Sequence, residues 1–240
     1  MANSYFQFKQ FTVQQEKSAL KVSTDSCLFG AWTANKVDNE KLNVKTVLDI
    51  GAGTGLLMLM LAQKCTALID GIEIDEPSYQ QATENIQGSP WKERLHLFCA
   101  DVKQFLLEKQ YDFIISNPPF YEADLKSNAA NRNIAMHDEG LKLDEMLQLV
   151  DVNLTEDGSF AVLLPYTRTD QFIEDANKKR LFLSERINVK QSVNHSFFRS
   201  MLLFERKKDN PKVKELSIKD ETNQYTANFI ELLKDYYLYL

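Results

Sequence analysis

Cysteine and histidine are scarce in this chain of 240 residues: there are three of each, Cys27, Cys65 and Cys99 lie far apart, and no CxxC pair occurs. An odd, scattered set of thiols argues against a disulfide framework, and with so few imidazoles it argues against a structural zinc site too. Buried free thiols and no bound metal are the expectation. No apolar run approaches the ~20 residues of a membrane span. The start, Met1-Ala2-Asn3-Ser4-Tyr5, has neither the charged nor the apolar region of a signal peptide, so a cytoplasmic protein is expected. Positive charge is also short: 28 Lys and Arg against 34 Asp and Glu leave a formal net charge of −6. That balance argues against tight nonspecific binding along nucleic acid, which comes largely from neutralising phosphates, so an RNA partner would need a local basic patch. What is present, 44% hydrophobic and 26% charged residues, is ordinary for a folded chain of this length.

The N-terminal part alternates aromatic and polar positions (Phe6, Phe8, then Phe11, Val13), which predicts a short hairpin. Ser23-Thr24-Asp25-Ser26 then opens a helix to about Lys36, with Thr24 or Asp25 expected as its N-cap. From residue 46 strand and helix patterns alternate, the signature of a parallel sheet covered on both faces. Strands are expected at 46–50, 68–74, 95–99, 111–116, 160–164, 182–189 and 201–205, and helices at 56–65, 78–87, 103–108, 143–153 and 170–179. The last two strands are joined by a short polar stretch and should pair antiparallel. The predicted architecture is α/β: a mostly parallel seven-stranded sheet with an antiparallel last strand, forming one domain. Residues 1–45 would cover the site, 46–206 form the core, and 207–240 extend it with an aromatic, helical tail.

Two stretches carry chemistry. The first is Asp49-Ile50-Gly51-Ala52-Gly53-Thr54-Gly55-Leu56, which follows a strand and opens a helix, where glycines let the backbone approach a ligand. A dinucleotide fingerprint needs its third glycine one position later, at Leu56; the spacing found favours a cofactor with a ribose and an amino-acid tail over NAD. Glu73, with Asp75 as second choice, stands where ribose hydroxyls can be accepted, and Asp101 stands where an adenine amine can. Each alone reads better as a helix N-cap; three carboxylates ending successive strands beside a glycine turn read as a site. The second stretch is Ser116-Asn117-Pro118-Pro119-Phe120. The prolines stiffen the corner and drive Asn117 to an extended backbone, so its amide oxygen and the Pro118 carbonyl can converge on a planar amino group while Phe120 offers a ring face.

The combined pattern resembles the class I S-adenosylmethionine-dependent methyltransferases, those acting on amino or amide nitrogens. A closer likeness takes in Phe8-Lys9-Gln10-Phe11, Lys21-Val22-Ser23-Thr24-Asp25, Gly30-Ala31-Trp32, Arg132 with His137, and Lys234-Asp235-Tyr236-Tyr237-Leu238. Together these resemble the bacterial tRNA1(Val) adenine N-6-methyltransferase family, with Ser26 standing where that family tends to carry glycine. The resemblance implies methylation of an adenosine beside the valine anticodon. It also implies S-adenosylmethionine as cofactor, tRNA as partner, a monomer, no metal, and a Ser-Thr-Asp segment whose Thr24 and Asp25 lie against the cofactor.

On this reading Asn117, Pro118 and Phe120 are catalytic, and Asp49, Gly51, Gly53, Gly55, Glu73, Asp101 and Asn117 join Thr24 and Asp25 around the cofactor. Pro119, Tyr121, Arg132, His137 and Arg199 face the substrate. His137 could accept a proton or contact a phosphate, though a lone loop histidine is more often neither. Lys178, Lys179 and Arg180 are further phosphate candidates, or solvated surface charges. The rival is a protein glutamine methyltransferase, because a glutamine amide offers the same planar donor; only about forty-five residues precede the first core strand, short for the recognition domain such enzymes carry.

Overall fold

The computed structural model describes residues 3–18, 20–38, 44–119 and 141–240. The hairpin forms as expected, β1 (Tyr5–Gln7) pairing antiparallel with β2 (Thr12–Gln14). Helix α1 (Thr24–Val37) follows, but its N-cap is Ser23, neither Thr24 nor Asp25. Ser23 is the last extended residue, and only there can a side chain reach back to the free N–H groups of the first turn. Strands and helices then alternate: β3 (Thr46–Ile50), α2 (Leu56–Ala62), β4 (Leu68–Glu73), α3 (Glu76–Gln87), β5 (Leu95–Cys99), β6 (Tyr111–Ser116), α4 (Leu143–Asn153), β7 (Leu154–Pro165), α5 (Thr169–Lys178), β8 (Phe182–Ser192), β9 (Phe197–Glu205), β10 (Lys212–Lys219) and α6 (Ala227–Leu233).

The main sheet runs β10-β8-β9-β7-β6-β3-β4-β5, with β9 antiparallel to both neighbours and every other pairing parallel. It has eight strands where seven are predicted. The addition, β10, is a charged edge strand in which only Leu216 and Ile218 are buried, so it carries almost none of the alternation that marks a half-buried strand. The helix expected at 103–108 does not form. The Asp101 carbonyl accepts from the Gln104 and Phe105 N–H groups and its carboxylate from the Lys103 N–H, which closes one turn and goes no further; a stretch that short gains too few bonds to offset nucleation.

One face of the sheet is covered by α1, α2, α6 and the hairpin, the other by α4 and α5. Gly30 lets α1 lie close on α2, since a Cβ there would come within 2.5 Å of the Met60 sulfur and the Met60 side chain would have to shift. The chain ends are clamped together over this layer. The Lys9 N–H donates to the Tyr236 carbonyl at 2.8 Å, the Tyr236 hydroxyl donates to the Met60 carbonyl at 3.0 Å, and Tyr237 packs against Phe6 and Phe8. Of the three thiols expected to be buried only Cys27 is; Cys65 is half-buried, and Cys99 is exposed beside the Glu76 carboxylate. Among the described residues no helix is long and apolar enough to cross a membrane.

Candidate active site

Register brings the chemistry-bearing residues to one edge of the sheet. Ile50 pairs with both Ile72 and Ser116, and Glu73 pairs with Cys99, so the chain leaves four adjacent parallel strands at nearly the same level. Gly51, Ile74, Ala100 and Asn117 are the first residues beyond those strands. The Ser116 hydroxyl donates to the Ile50 carbonyl at 2.8 Å, tethering the Asn-Pro-Pro corner directly to the start of the glycine turn.

The turn is built of left-handed residues: Gly51, Gly53 and Gly55 have φ of 76°, 56° and 78°. Side chains disfavour that conformation, and a Cβ at Gly51 or Gly53 would meet no atom within 4 Å, so the backbone is bare toward the space above the strands. The turn is held from three sides. The Gly51 and Ala52 N–H groups donate to the Ile72 carbonyl, the Gly53 N–H donates to the Glu73 carboxylate at 2.7 Å, and the Asn85 side chain donates to the Thr54 carbonyl at 2.9 Å. The second Glu73 oxygen accepts from the Asp75 N–H at 2.8 Å. Asp75 itself caps α3, accepting from the Ser78 N–H. Glu73 is therefore the carboxylate rigidly placed beside the turn, with lone pairs to spare. Next to it Ile74 is 63% exposed, an apolar surface adjoining an acceptor.

Asp49 lies directly beneath. It is fully buried, and neither carboxylate oxygen has a hydrogen-bond partner among the described residues. Burial, and secondarily the Glu73 charge, push its pKa up to about 8. An unpartnered buried carboxylate under a bare backbone turn calls for a cation or donor to arrive from outside the chain. S-adenosylmethionine, with its cationic sulfonium and ammonium, its ribose and its adenine, fits this donor set: Asp49 for positive charge, Glu73 for hydroxyls, Ile74 for a base.

At the corner, Pro118 is buried, Pro119 exposed, and Asn117 half-buried. The Asn117 side-chain NH2 donates to the Ser26 hydroxyl at 2.9 Å, which brings the first turn of α1 against the site. Asp25 belongs to that turn and is ion-paired to Arg199, Nε to carboxylate 2.9 Å. Thr24 and Asp25 thus lie at this edge of the sheet. Arg199, expected to be free for a phosphate, instead spends its Nε donor on Asp25. Asp101 also reaches the edge, bound to the Lys103 backbone N–H at 3.0 Å and capping its own turn.

Phe120, Tyr121, Arg132 and His137 lie outside the described residues. Lys178, Lys179 and Arg180 do not reach the site. They precede β8, which runs parallel to β7, and so occupy the sheet edge opposite the carboxyl ends of the parallel strands; Lys178 is moreover paired with Asp175 at 2.7 Å. Two residues escaped the sequence reading. Asn85, whose amide ties both Gln14 and Thr54 to α3, gave no signal at all. Ser26 stood out only as a departure from glycine.

Residues 33–159 match the family described as methyltransferase small domain. A protein of Flavobacterium psychrophilum named tRNA1(Val) (adenine(37)-N6)-methyltransferase is 40% identical over 236 residues, covering 97% of this chain and 99% of that protein. Solved structures share the fold at low identity. One described as a predicted O-methyltransferase of Agrobacterium tumefaciens has a TM-score of 0.65 at 12% identity, covering 88% of this chain and 96% of that one. Another, described as a class I S-adenosylmethionine-dependent methyltransferase of Listeria monocytogenes, has a TM-score of 0.59 at 16% identity, covering 85% of this chain and 67% of that one.

Proposed function

The chain belongs to the tRNA1(Val) (adenine(37)-N6)-methyltransferase family, and from that membership we propose that it methylates the exocyclic N6 amine of the adenosine at position 37 in the anticodon loop of a tRNA. The observation that carries the reading is the Asn117 corner held level with the glycine turn by the Ser116–Ile50 hydrogen bond. When bound, S-adenosylmethionine supplies a methyl group made electrophilic by its sulfonium.

Everything else asked of the protein is binding and orientation. An exocyclic amine is a poor nucleophile because its lone pair is delocalised into the ring. The Asn117 amide oxygen and the Pro118 carbonyl accept its two N–H groups and hold the lone pair toward the methyl. As the C–N bond forms the nitrogen gains positive character and its protons become more acidic, so both acceptors bind the transition state more strongly than the ground state. Holding amine and methyl in line supplies much of the remainder. One N–H proton leaves to solvent once the nitrogen is methylated, and no general base among the described residues is required. The resemblance assigns Phe120 to stack the unpaired adenine and Pro119, Tyr121, Arg132 and His137 to the substrate; of these, Pro119 alone falls among the described residues.

Bulk charge of −6 does not attract RNA, so local contacts must. The topology favours the edge that carries Arg199. Arg168 follows β7 there, Lys190 lies 4.4 Å from the Phe197 ring centre, and Lys219 pairs across to Ser192. Cations interleaved with aromatic rings suit single-stranded loop nucleotides. The enzyme would work as a monomer in the cytoplasm, where tRNA is.

Incubation with labelled S-adenosylmethionine and either total tRNA or release factors tests the reading. Label should enter tRNA and be recovered as N6-methyladenosine after nuclease digestion and mass spectrometry. Label in a glutamine of the protein substrate, with tRNA unmodified, would replace this function by protein glutamine methylation.

A further inference from the structure

Four side chains behind the Asn-Pro-Pro corner form an unbroken hydrogen-bonded chain, and its polarity can be worked out proton by proton. Arg199 donates from Nε to one Asp25 oxygen at 2.9 Å. Ser23 donates its hydroxyl proton to the other Asp25 oxygen at 2.5 Å. An ionised carboxylate only accepts, so the single Ser23 proton is committed there. Across the 2.7 Å contact between the Ser23 and Ser26 hydroxyls, Ser26 must therefore be the donor. With its own proton spent, Ser26 can only accept at its remaining contact, the 2.9 Å one to Asn117. A carboxamide offers an oxygen or an NH2 group, and only the NH2 satisfies that acceptor. Oδ1 of Asn117 has no partner among the described residues and is not among their buried atoms.

We infer that Ser26 is a positioning residue which, through Ser23 and the Asp25–Arg199 ion pair, sets the Asn117 amide with its oxygen toward the target amine. The inference rests on the reading of Asn117 as the acceptor of that amine. The alternative rotamer presents NH2 to the substrate NH2, donor against donor, and is unproductive. Asn117 can make the turn freely unless something distinguishes its two ends, and the backbone corner does not. The chain of hydroxyls anchored on a charged pair does, since one end of it is fixed by charge and each link passes that sign along. Ser26 is 9% exposed and the Asp25 side chain 16%, so both flanks of the relay are shielded; Ser23 between them is exposed, and its proton is held by the 2.5 Å bond to the carboxylate.

The test begins in the free enzyme. With 15N-labelled asparagine, and the Asn117 side-chain signal assigned by its loss in Asn117→Ala, the wild-type NH2 protons should exchange slowly with water. In Ser26→Ala exchange should rise toward that of an open amide, and in Ser26→Thr it should stay slow. The kinetic arm uses tRNA methylation. Ser26→Ala should lower kcat roughly tenfold, the scale of one hydrogen bond that selects the productive orientation, with the KM values for tRNA and cofactor within about twofold of wild type and Ser26→Thr restoring most of the rate. Asp25→Asn lets the new amide donate to Ser23, which reverses every link and turns the Asn117 oxygen inward. It should lower kcat as well, yet add little in the Ser26→Ala background.

Unchanged NH2 exchange in Ser26→Ala would overturn the inference whatever the substrate proves to be. Given slow wild-type exchange, a wild-type rate in Ser26→Ala would overturn the positioning role while leaving the tRNA reading intact. Losses from Asp25→Asn and Ser26→Ala that simply multiply would break the link between the ion pair and the amide. A wild-type enzyme inactive on tRNA counts against the function, and the exchange measurement still decides the polarity of the chain.

Discussion

Asp49 couples cofactor binding to pH in a way that can be worked from its surroundings. In the free protein its carboxyl is fully buried without a partner among the described residues, and its pKa is pushed up to about 8, against 3.8 for an ordinary aspartate. At pH 7 roughly nine-tenths of free molecules then carry the proton. A bound cation favours the ionised form, so binding at pH 7 should release close to one proton. The affinity should rise about tenfold per pH unit from pH 6 toward 8, and then level off. Titration calorimetry in two buffers of different ionisation enthalpy measures the released proton directly, and Asp49→Asn is the control that should release none.

The same group acts on stability with a definite sign. Its folded pKa is raised, so between about pH 4 and 8 the folded state holds a proton the unfolded chain has lost, and stability falls as pH rises through that window. Relative to Asp49→Asn, the free enzyme should lose about 1.4 kcal/mol per pH unit between pH 5 and 7. A cofactor affinity that is flat from pH 6 to 8, with no proton released and no difference from Asp49→Asn, would refute the assignment of Asp49 to the cofactor's charge.

Asn117→Ala should reduce methyl transfer at least ~100-fold while calorimetry finds cofactor affinity close to wild type; an equal loss of both would move Asn117 into the cofactor site. Glu73→Ala should weaken cofactor binding by roughly 1–3 kcal/mol, toward the upper end because the Gly53 and Asp75 N–H groups lose their acceptor too. An unchanged affinity would shift the ribose to Asp75. Neutralising Lys178, Lys179 and Arg180 together should leave the KM for tRNA unchanged, because they occupy the far edge of the sheet. Neutralising Lys190 and Lys219 should raise KM and flatten its salt dependence, with little effect on the chemical step; the reverse pattern would place the RNA on the opposite edge.

What the sequence determined by itself is what local rules govern. The glycine turn is legible because left-handed φ values at alternate positions leave glycine as the residue that fits, and the stiff Asn117 corner because two prolines allow little else. The parallel core strands are legible because burial on both faces writes near-continuous apolar runs such as Tyr111–Ser116. Where those rules weaken, legibility weakens with them: β10 is a charged edge strand, and the turn after Asp101 closes on its own carboxylate instead of nucleating a helix.

Only the tertiary structure decided which charges meet. Asp25 and Arg199 are 174 residues apart and become partners because the first turn of α1 lies against the sheet edge where β9 begins. Lys178–Arg180 look like an RNA patch in one dimension, but the direction of β8 carries them to the wrong edge. Asp49 reads as one more acidic residue before a glycine turn until the fold buries it with no hydrogen-bond partner among the described residues. Ser26, seen in sequence as a substitution, becomes the contact of Asn117 because a helix that begins ninety residues earlier is laid across the corner. Pairings of this kind depend on register and packing between distant elements, and neither leaves a pattern within a window of neighbouring residues.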